Sequence, residues 1–323
     1  MTSGLPFDDI RNLISALPAM DTGAATRVGA DLSSGGDELG RLGDIGQWFA
    51  AVTGRVPARV ARPVVALFAA THAVSLKMGV TDPVREARAK VEAIAAGAAP
   101  VSQLCASGNL GLNVFDLALD LPVEDFSSGP ALDERAAAAT MAFGMEAIAA
   151  GPDLICLGTV DRASDLSAIA LLGAILPPHG SGWTSIGKQE RVLVEQALQV
   201  HQSHLRDPLE AMRRLGGREI AALAGAILAA RAQKIAVILD GLAATAAAAV
   251  LYALNRNSLE HCLLANAESD THRQVSALLG LQPVLSLGNL KSGGVAGALA
   301  AGLVRGAGDI SVGMAEVNAR SRA

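Results

Sequence analysis

Aromatic residues are scarce in this chain, with six Phe, two Trp and one Tyr among 323 residues. Since 51% of the residues are nevertheless apolar, the interior must be filled by Ala, Leu, Val and Ile, which suits helices and sheet packed at close range. Cysteine is scarce as well. Cys105, Cys156 and Cys262 are odd in number, far apart and without ligand spacing. That pattern predicts buried thiols in a reducing compartment rather than a disulfide framework or a metal centre. Charge of one sign is lacking too: the formal net charge is −5, and Lys and Arg are scattered rather than clustered, so no nucleic-acid partner is expected. The opening MTSGLPFDDI has no basic region followed by an apolar run, and no signal peptide is expected. The longest obviously apolar helix, Gly241 to Asn255, is shorter than the ~20 residues that span a bilayer. A cytoplasmic protein with no membrane partner is the expectation.

What is present is an alternation. Before Arg62 the pattern is helical, with DDIRNLISAL and ELGRLGDIGQWFAAVTG as amphipathic helices joined by a Gly- and Ser-rich link. From Arg62 short apolar runs alternate with helices. PVVALFAA, NVFDLAL, DLICLG, KIAVILDG and PVLSLG read as buried parallel strands. Helices are expected at Pro83–Gly97, Asp133–Ala150, Leu166–Leu176, Lys188–His201, Asp207–Leu215, Glu219–Ala230 and Leu242–Leu254, with another short one from about Gly306. The fold class is therefore α/β: a doubly wound, mostly parallel sheet with helices on both faces. The last residues, from about Gly306, could pack back on the N-terminal pair of helices.

Ligands of such sheets bind beyond the carboxyl ends of the strands. The loops leaving those ends are ATHAVSLKMG, DLPVEDFSSGPA, GTVDRASD, DGLAAT and GNLKSGG. His72 follows the first strand, where it is either a ligand contact or a buried histidine bonded to backbone. In GTVDRASD, Asp161 and Asp165 flank Arg162, and Ser164 or Asp165 could equally cap the next helix. Asp240, followed by Gly241, either orients ribose hydroxyls or caps the helix after it. Gly182 to Gln189, GWTSIGKQ, matches a phosphate loop except that Gln189 stands where a hydroxyl would hold magnesium, and no strand precedes it. The better reading is that Gly180, Ser181 and Gly182 offer amides to a single phosphate, with Lys188 as a point charge. No G-x-G-x-x-G follows a strand, which disfavours a dinucleotide cofactor. His201 and His204, at i and i+3, lack a carboxylate or third ligand, so no metal is expected.

Four segments then stand out in order: ELGRLGDIGQW (Glu38–Trp48), DFSSGPALDERAA (Asp125–Ala137), DPLEAMRRLGGREIAALAGAILAA (Asp207–Ala230) and VILDGLAATAAA (Val237–Ala248). Together they resemble the nicotinate-nucleotide–dimethylbenzimidazole phosphoribosyltransferase family, over nearly the whole chain. The resemblance implies a Rossmann-like α/β domain of residues 62–305 beside a small helical domain formed from both chain ends, residues 1–61 joined by 306–323. It further implies a homodimer whose substrates are nicotinate mononucleotide and a benzimidazole-like base, making the lower ligand of cobalamin without a bound cofactor. It also implies a proton-accepting glutamate in a G-E-G-T-G loop after the last strand. Here that loop contains Ser292, Gly293 and Gly294, and the matching residue is Gly293. A second family glutamate falls on Thr159, and its glycines on Asp161 and Ala163. The family's G-D-H-G segment is represented by ATHA, keeping His72, and its S-H-x-S-x-E-P-G-H segment by NAESDTH around His272. With both glutamates replaced, the expectation is altered or weak transfer, with Asp161, Asp165 or Glu316 as substitute acceptors. The alternative is a silent relative that binds a ligand or a partner subunit.

Overall fold

A computed structural model describes residues 5–33, 37–160, 163–176, 186–290 and 293–322. Six parallel strands form one sheet: β1 (Pro63–Ala69), β2 (Gly111–Asp116), β3 (Leu154–Thr159), β4 (Ala236–Leu239), β5 (Cys262–Asn266) and β6 (Pro283–Leu285), in the order β2-β1-β3-β4-β5-β6. β1 is a neighbour of both β2 and β3, with Val64 opposite Gly111 and Pro63 opposite Leu154. The chain therefore winds outward in one direction after β1 and returns to wind in the other after β2. The crevice of such a sheet opens where the winding reverses, between the carboxyl ends of β1 and β3.

Both faces of the sheet are buried because its strands carry apolar side chains at successive positions, not alternate ones. Ala66, Phe68, Ile155, Leu157, Val237 and Leu239 face one core, and Val65, Leu67, Leu154, Cys156, Ala236 and Ile238 face the other. Over the first face lie α1 (Pro6–Ser15), α6 (Glu134–Met145), α7 (Ala163–Ile175), α8 (Lys188–His201), α9 (Pro208–Leu215), α10 (Arg218–Ala232) and α11 (Leu242–Leu254). The second face is covered by α2 (Thr22–Ser33), α3 (Arg41–Thr53), α4 (Pro83–Ala95), α5 (Pro100–Gly108) and α13 (Val295–Arg322). One further helix, α12 (Asp270–Leu278), joins β5 to β6.

Small residues set the helix spacing, as the shortage of aromatics requires. At the crossing of α6 and α10, a Cβ on Gly225 would lie 1.9 Å from the Met141 carbonyl oxygen, and one on Gly144 would lie 2.0 Å from that of Ala222. The two backbones meet through these glycines. α10 can then bury almost its whole circumference, including Ala221, Ala222, Leu223, Ala224 and Ile227.

Several expectations need correction. A strand absent from the sequence reading, β5, occupies CLLAN; with no β-branched or aromatic residue it carries little strand signal. The supposed Gly- and Ser-rich link contains α2, whose Ala24, Val28 and Leu32 recur at helical spacing and are buried. α5 and α12 also form where no helix was expected. The separate short helix from about Gly306 is instead the second half of α13, which runs unbroken for 28 residues. That helix is long and apolar enough by composition to cross a bilayer, but half of its most apolar stretch is buried inside the protein. α1 packs through Phe7, Ile10 and Ile14 into the first core, whereas α2, α3 and α13 share the second.

Candidate active site

The chain after β1 stays extended through His72, which bridges Val123 in parallel before a 3₁₀ helix begins at Ala73. Its backbone is fixed by Val123 N–H donating to the Thr71 carbonyl at 2.7 Å and Ala73 N–H donating to the Val123 carbonyl at 2.9 Å. Further along, Lys77 Nζ contacts Asp125 Oδ2 at 2.5 Å and Ser127 Oγ at 2.9 Å. Gln189 at the start of α8 donates to the Lys77 carbonyl at 2.5 Å. Loops from β1, β2 and α8 are thereby tied into one rim. Lys188 is exposed beside that tie.

His72 is fully buried, and it is not bonded to backbone through its ring. Its Nε2 is hydrogen-bonded to Oε1 of Glu219, and its Nδ1 lies 3.5 Å from Ser167 Oγ. Glu219 sits in the first turn of α10 and is itself buried, with Oε2 lacking any hydrogen-bond partner. Gly217 makes the approach possible, since a Cβ there would fall 2.4 Å from His72 Cε1 and 2.7 Å from Glu219 Oε2. Sequence reasoning used GGREIAALAGAI as a family mark and assigned Glu219 no role. The missed signal was a single acid in a helix that is otherwise apolar on every side between Arg218 and Arg231, because a charge buried there needs a partner. A cavity of about 240 Å³, lined in part by Asp116, Phe143 and Arg218, opens beside the same helix end.

On the other side of the crevice, α13 begins against the ends of β3 and β4. Asp240 follows β4, and its Oδ2 accepts a hydrogen bond from Gly297 N–H at 2.8 Å. Burial pushes the Asp240 pKa up to about 6, opposed by the amides of Gly297 and Gly294. Asp240 therefore anchors the first turn of α13; the helix that follows it directly, α11, starts from Gly241 with no side-chain cap. Thr159 ends β3, and a Cβ on Gly293 would lie 1.9 Å from its carbonyl oxygen. Gly294 has φ +81, and a Cβ there would lie 2.7 Å from Val101 Cγ2. No side chain fits at position 293 in this loop conformation.

The structure thus brings His72, Thr159, Asp240, Gly241, Gly293 and Gly294 to one edge of the sheet. Asp165 is partly buried in the first turn of α7, just beyond β3, and Ser164 Oγ donates to Thr159 Oγ1 at 3.5 Å. Asp161, Arg162, Gly180, Ser181, Gly182 and Ser292 lie outside the described residues. Glu316 is corrected: it stands 21 residues along α13 from Val295, about 30 Å from the sheet edge at the helical rise, and faces Arg320 at 3.8 Å. It cannot serve a reaction at that edge. His272 is likewise engaged internally, with Nε2 at 2.8 Å from Thr245 Oγ1. Among the described residues no group of three or more His, Cys, Asp and Glu could hold a metal ion.

A phosphoribosyltransferase family model matches residues 18–320. The chain belongs to that phosphoribosyltransferase family. It is 46% identical over 325 residues to the nicotinate-nucleotide–dimethylbenzimidazole phosphoribosyltransferase of Brucella anthropi, covering 97% of this chain and 96% of that one. The enzymes of the same name from Rhizobium meliloti and Agrobacterium fabrum are 48% and 47% identical, covering 97% and 98% of this chain and 96% and 95% of theirs. The crystal structure of the enzyme so named from Thermus thermophilus superimposes with a TM-score of 0.78 at 26% identity, over 90% of this chain and 96% of that one. The α/β architecture described above is the architecture of this family.

Proposed function

We propose that this phosphoribosyltransferase moves the phosphoribosyl group of nicotinate mononucleotide to dimethylbenzimidazole or a closely related base. The observation that carries the reading is identity of 46% or more, over nearly the full length, to enzymes named for that reaction. Transfer needs a held phosphate, a slot for a flat base and an acceptor for the proton on the base's ring nitrogen, and the sheet's crevice between β1 and β3 is where ligands of this fold type bind. Alignment of the attacking nitrogen with the anomeric carbon supplies much of the rate, and a positioned carboxylate supplies typically ~10²–10⁴-fold more. Gly293 brings no carboxylate to the loop where the family resemblance places one, so slower transfer or a changed base preference accompanies this reading.

The experiment is a chromatographic assay of purified protein with nicotinate mononucleotide and a panel of benzimidazoles. Release of nicotinate together with a ribosylated base phosphate is expected. No release with any base would sink the reading. The bare loop at Gly293 favours one second reading, uptake of the same ligands without turnover. Calorimetric binding of nicotinate mononucleotide with no release at any pH would select it. The resemblance also supports a homodimer, for which sedimentation of the intact chain is the check.

A further inference from the structure

The proposed transfer has to place one proton, and the position that the resemblance assigns to that task is empty of any side chain. The other acids at the sheet edge are engaged. Asp240 holds the start of α13, and Asp116 Oδ1 accepts from Leu119 N–H at 2.9 Å. Among the described residues, Glu219 is the one buried carboxylate with an oxygen that has no hydrogen-bond partner. Leaving such an oxygen unpaired is unfavourable, and more so when it is charged. Orphans of this kind in a well-packed interior call for a specific explanation.

We propose that Glu219 Oε2 is the proton acceptor of the transfer, with His72 holding the carboxylate through Oε1. This rests on the phosphoribosyl-transfer reading above. The arrangement has the parts a general base requires. An ionised carboxylate can only accept, so His72 donates to Oε1 from Nε2, and its Nδ1 lies 3.5 Å from the Ser167 hydroxyl. Oε2 keeps its lone pairs for a donor that arrives with the substrate. Gly217 lets the α10 backbone close over the pair, and α10 begins at the edge where ligands of this sheet type bind.

The step balances without any further reactant. One ring nitrogen of the neutral base forms its bond to the anomeric carbon as the bond from that carbon to the nicotinate nitrogen breaks. The electron pair leaves on nicotinate, which becomes a neutral pyridine ring. The proton on the base's other ring nitrogen passes to Glu219 Oε2 and then to solvent. His72 acts through Glu219, as a positioning residue.

The test is Glu219→Gln, assayed for nicotinate release with dimethyl-, chloro- and nitrobenzimidazole, whose N–H acidity rises in that order. The expected loss in kcat is ~10²–10⁴-fold with dimethylbenzimidazole and shrinks steadily toward the nitro compound, which needs least help in losing its proton. KM for nicotinate mononucleotide should stay within about threefold, because the interaction is made in the transition state. An equal loss across the three bases would reveal a merely structural pair, and an unchanged rate an idle one; either overturns the assignment. If Glu219→Gln does not fold, Glu219→Asp, which keeps the charge, provides the same series. Wild-type protein that releases no nicotinate with any of the three removes the transfer reading itself, a result distinct from failure of the variant alone.

Discussion

The Asp240 carboxylate and the Gly297 amide meet at 2.8 Å, and that single bond ties the end of β4 to the first turn of the chain's longest helix. An acid side chain thus occupies the positive end of α13, where an anion would otherwise be attracted. The glycine loop ahead of α13 is shaped by this anchor and by contact with Thr159.

A pH dependence follows from the anchor. The Asp240 pKa is raised from the ordinary 3.8 to about 6 by burial. In the interval between those values the folded chain retains a proton that the unfolded chain has released, so this group's contribution to stability falls as pH rises and levels off above the upper value. Asp240→Asn should abolish that slope. Urea unfolding at several pH values should show the variant gaining on wild type by up to ~3 kcal/mol across the interval. Parallel stability curves would contradict the raised pKa.

His261 gives the opposite slope. It is buried, with Nε2 at 2.9 Å from the Ile227 carbonyl, and burial lowers its pKa from 6.5 to about 3. Below the ordinary value the unfolded chain takes up a proton that the folded chain refuses, so stability is lost as pH falls through that interval. His261→Gln should be less stable than wild type near neutrality and lose less on acidification, as read by thermal melts from neutral to acid pH. An identical acid limb in both proteins would show that His261 does not carry this effect.

Position 293 should reject a side chain. A Cβ would sit 1.9 Å from the Thr159 carbonyl, so Gly293→Ala is expected to destabilise by about 1–3 kcal/mol through overpacking. Gly293→Glu should do at least as much, and restoring the acid alone should not speed the transfer. A Gly293→Glu protein that melts with wild type and turns over faster would show that the loop yields readily.

Gly225 provides a test of sign. In an exposed helix, replacing Gly by Ala stabilises by ~1 kcal/mol. Here the new methyl would stand 1.9 Å from the Met141 carbonyl oxygen, and Gly225→Ala should instead cost about 1–3 kcal/mol or more as α6 and α10 are forced apart. A raised melting temperature would refute the close crossing.

Much of the layering was legible because its signals are local. α8 and α11 begin and end where periodicity and turn residues placed them, and β1, β3 and β4 are apolar runs with few competing readings. β5 escaped because Leu, Ala and Cys in a five-residue run have no strand signature of their own; neighbours on either side make it a strand. α13 was divided at Gly306 since glycine weakens a helix in isolation, whereas here the helix is held along its length by α2, α3 and α5.

The sequence by itself determined the small-residue core, the alternation that yields a parallel sheet, the family, and the absence of an acid at Gly293, since each is a property of composition, spacing or order. Only the tertiary structure decided which acid keeps a free oxygen. Glu219 and His72 are 147 positions apart, and no local pattern couples them. Their meeting depends on β1 ending where α10 begins and on a glycine that lets the backbones close. Likewise Asp240 was a candidate for two tasks in sequence and turned out to hold a helix that starts more than fifty residues later, because burial and hydrogen bonding at a sheet edge are set by what packs there.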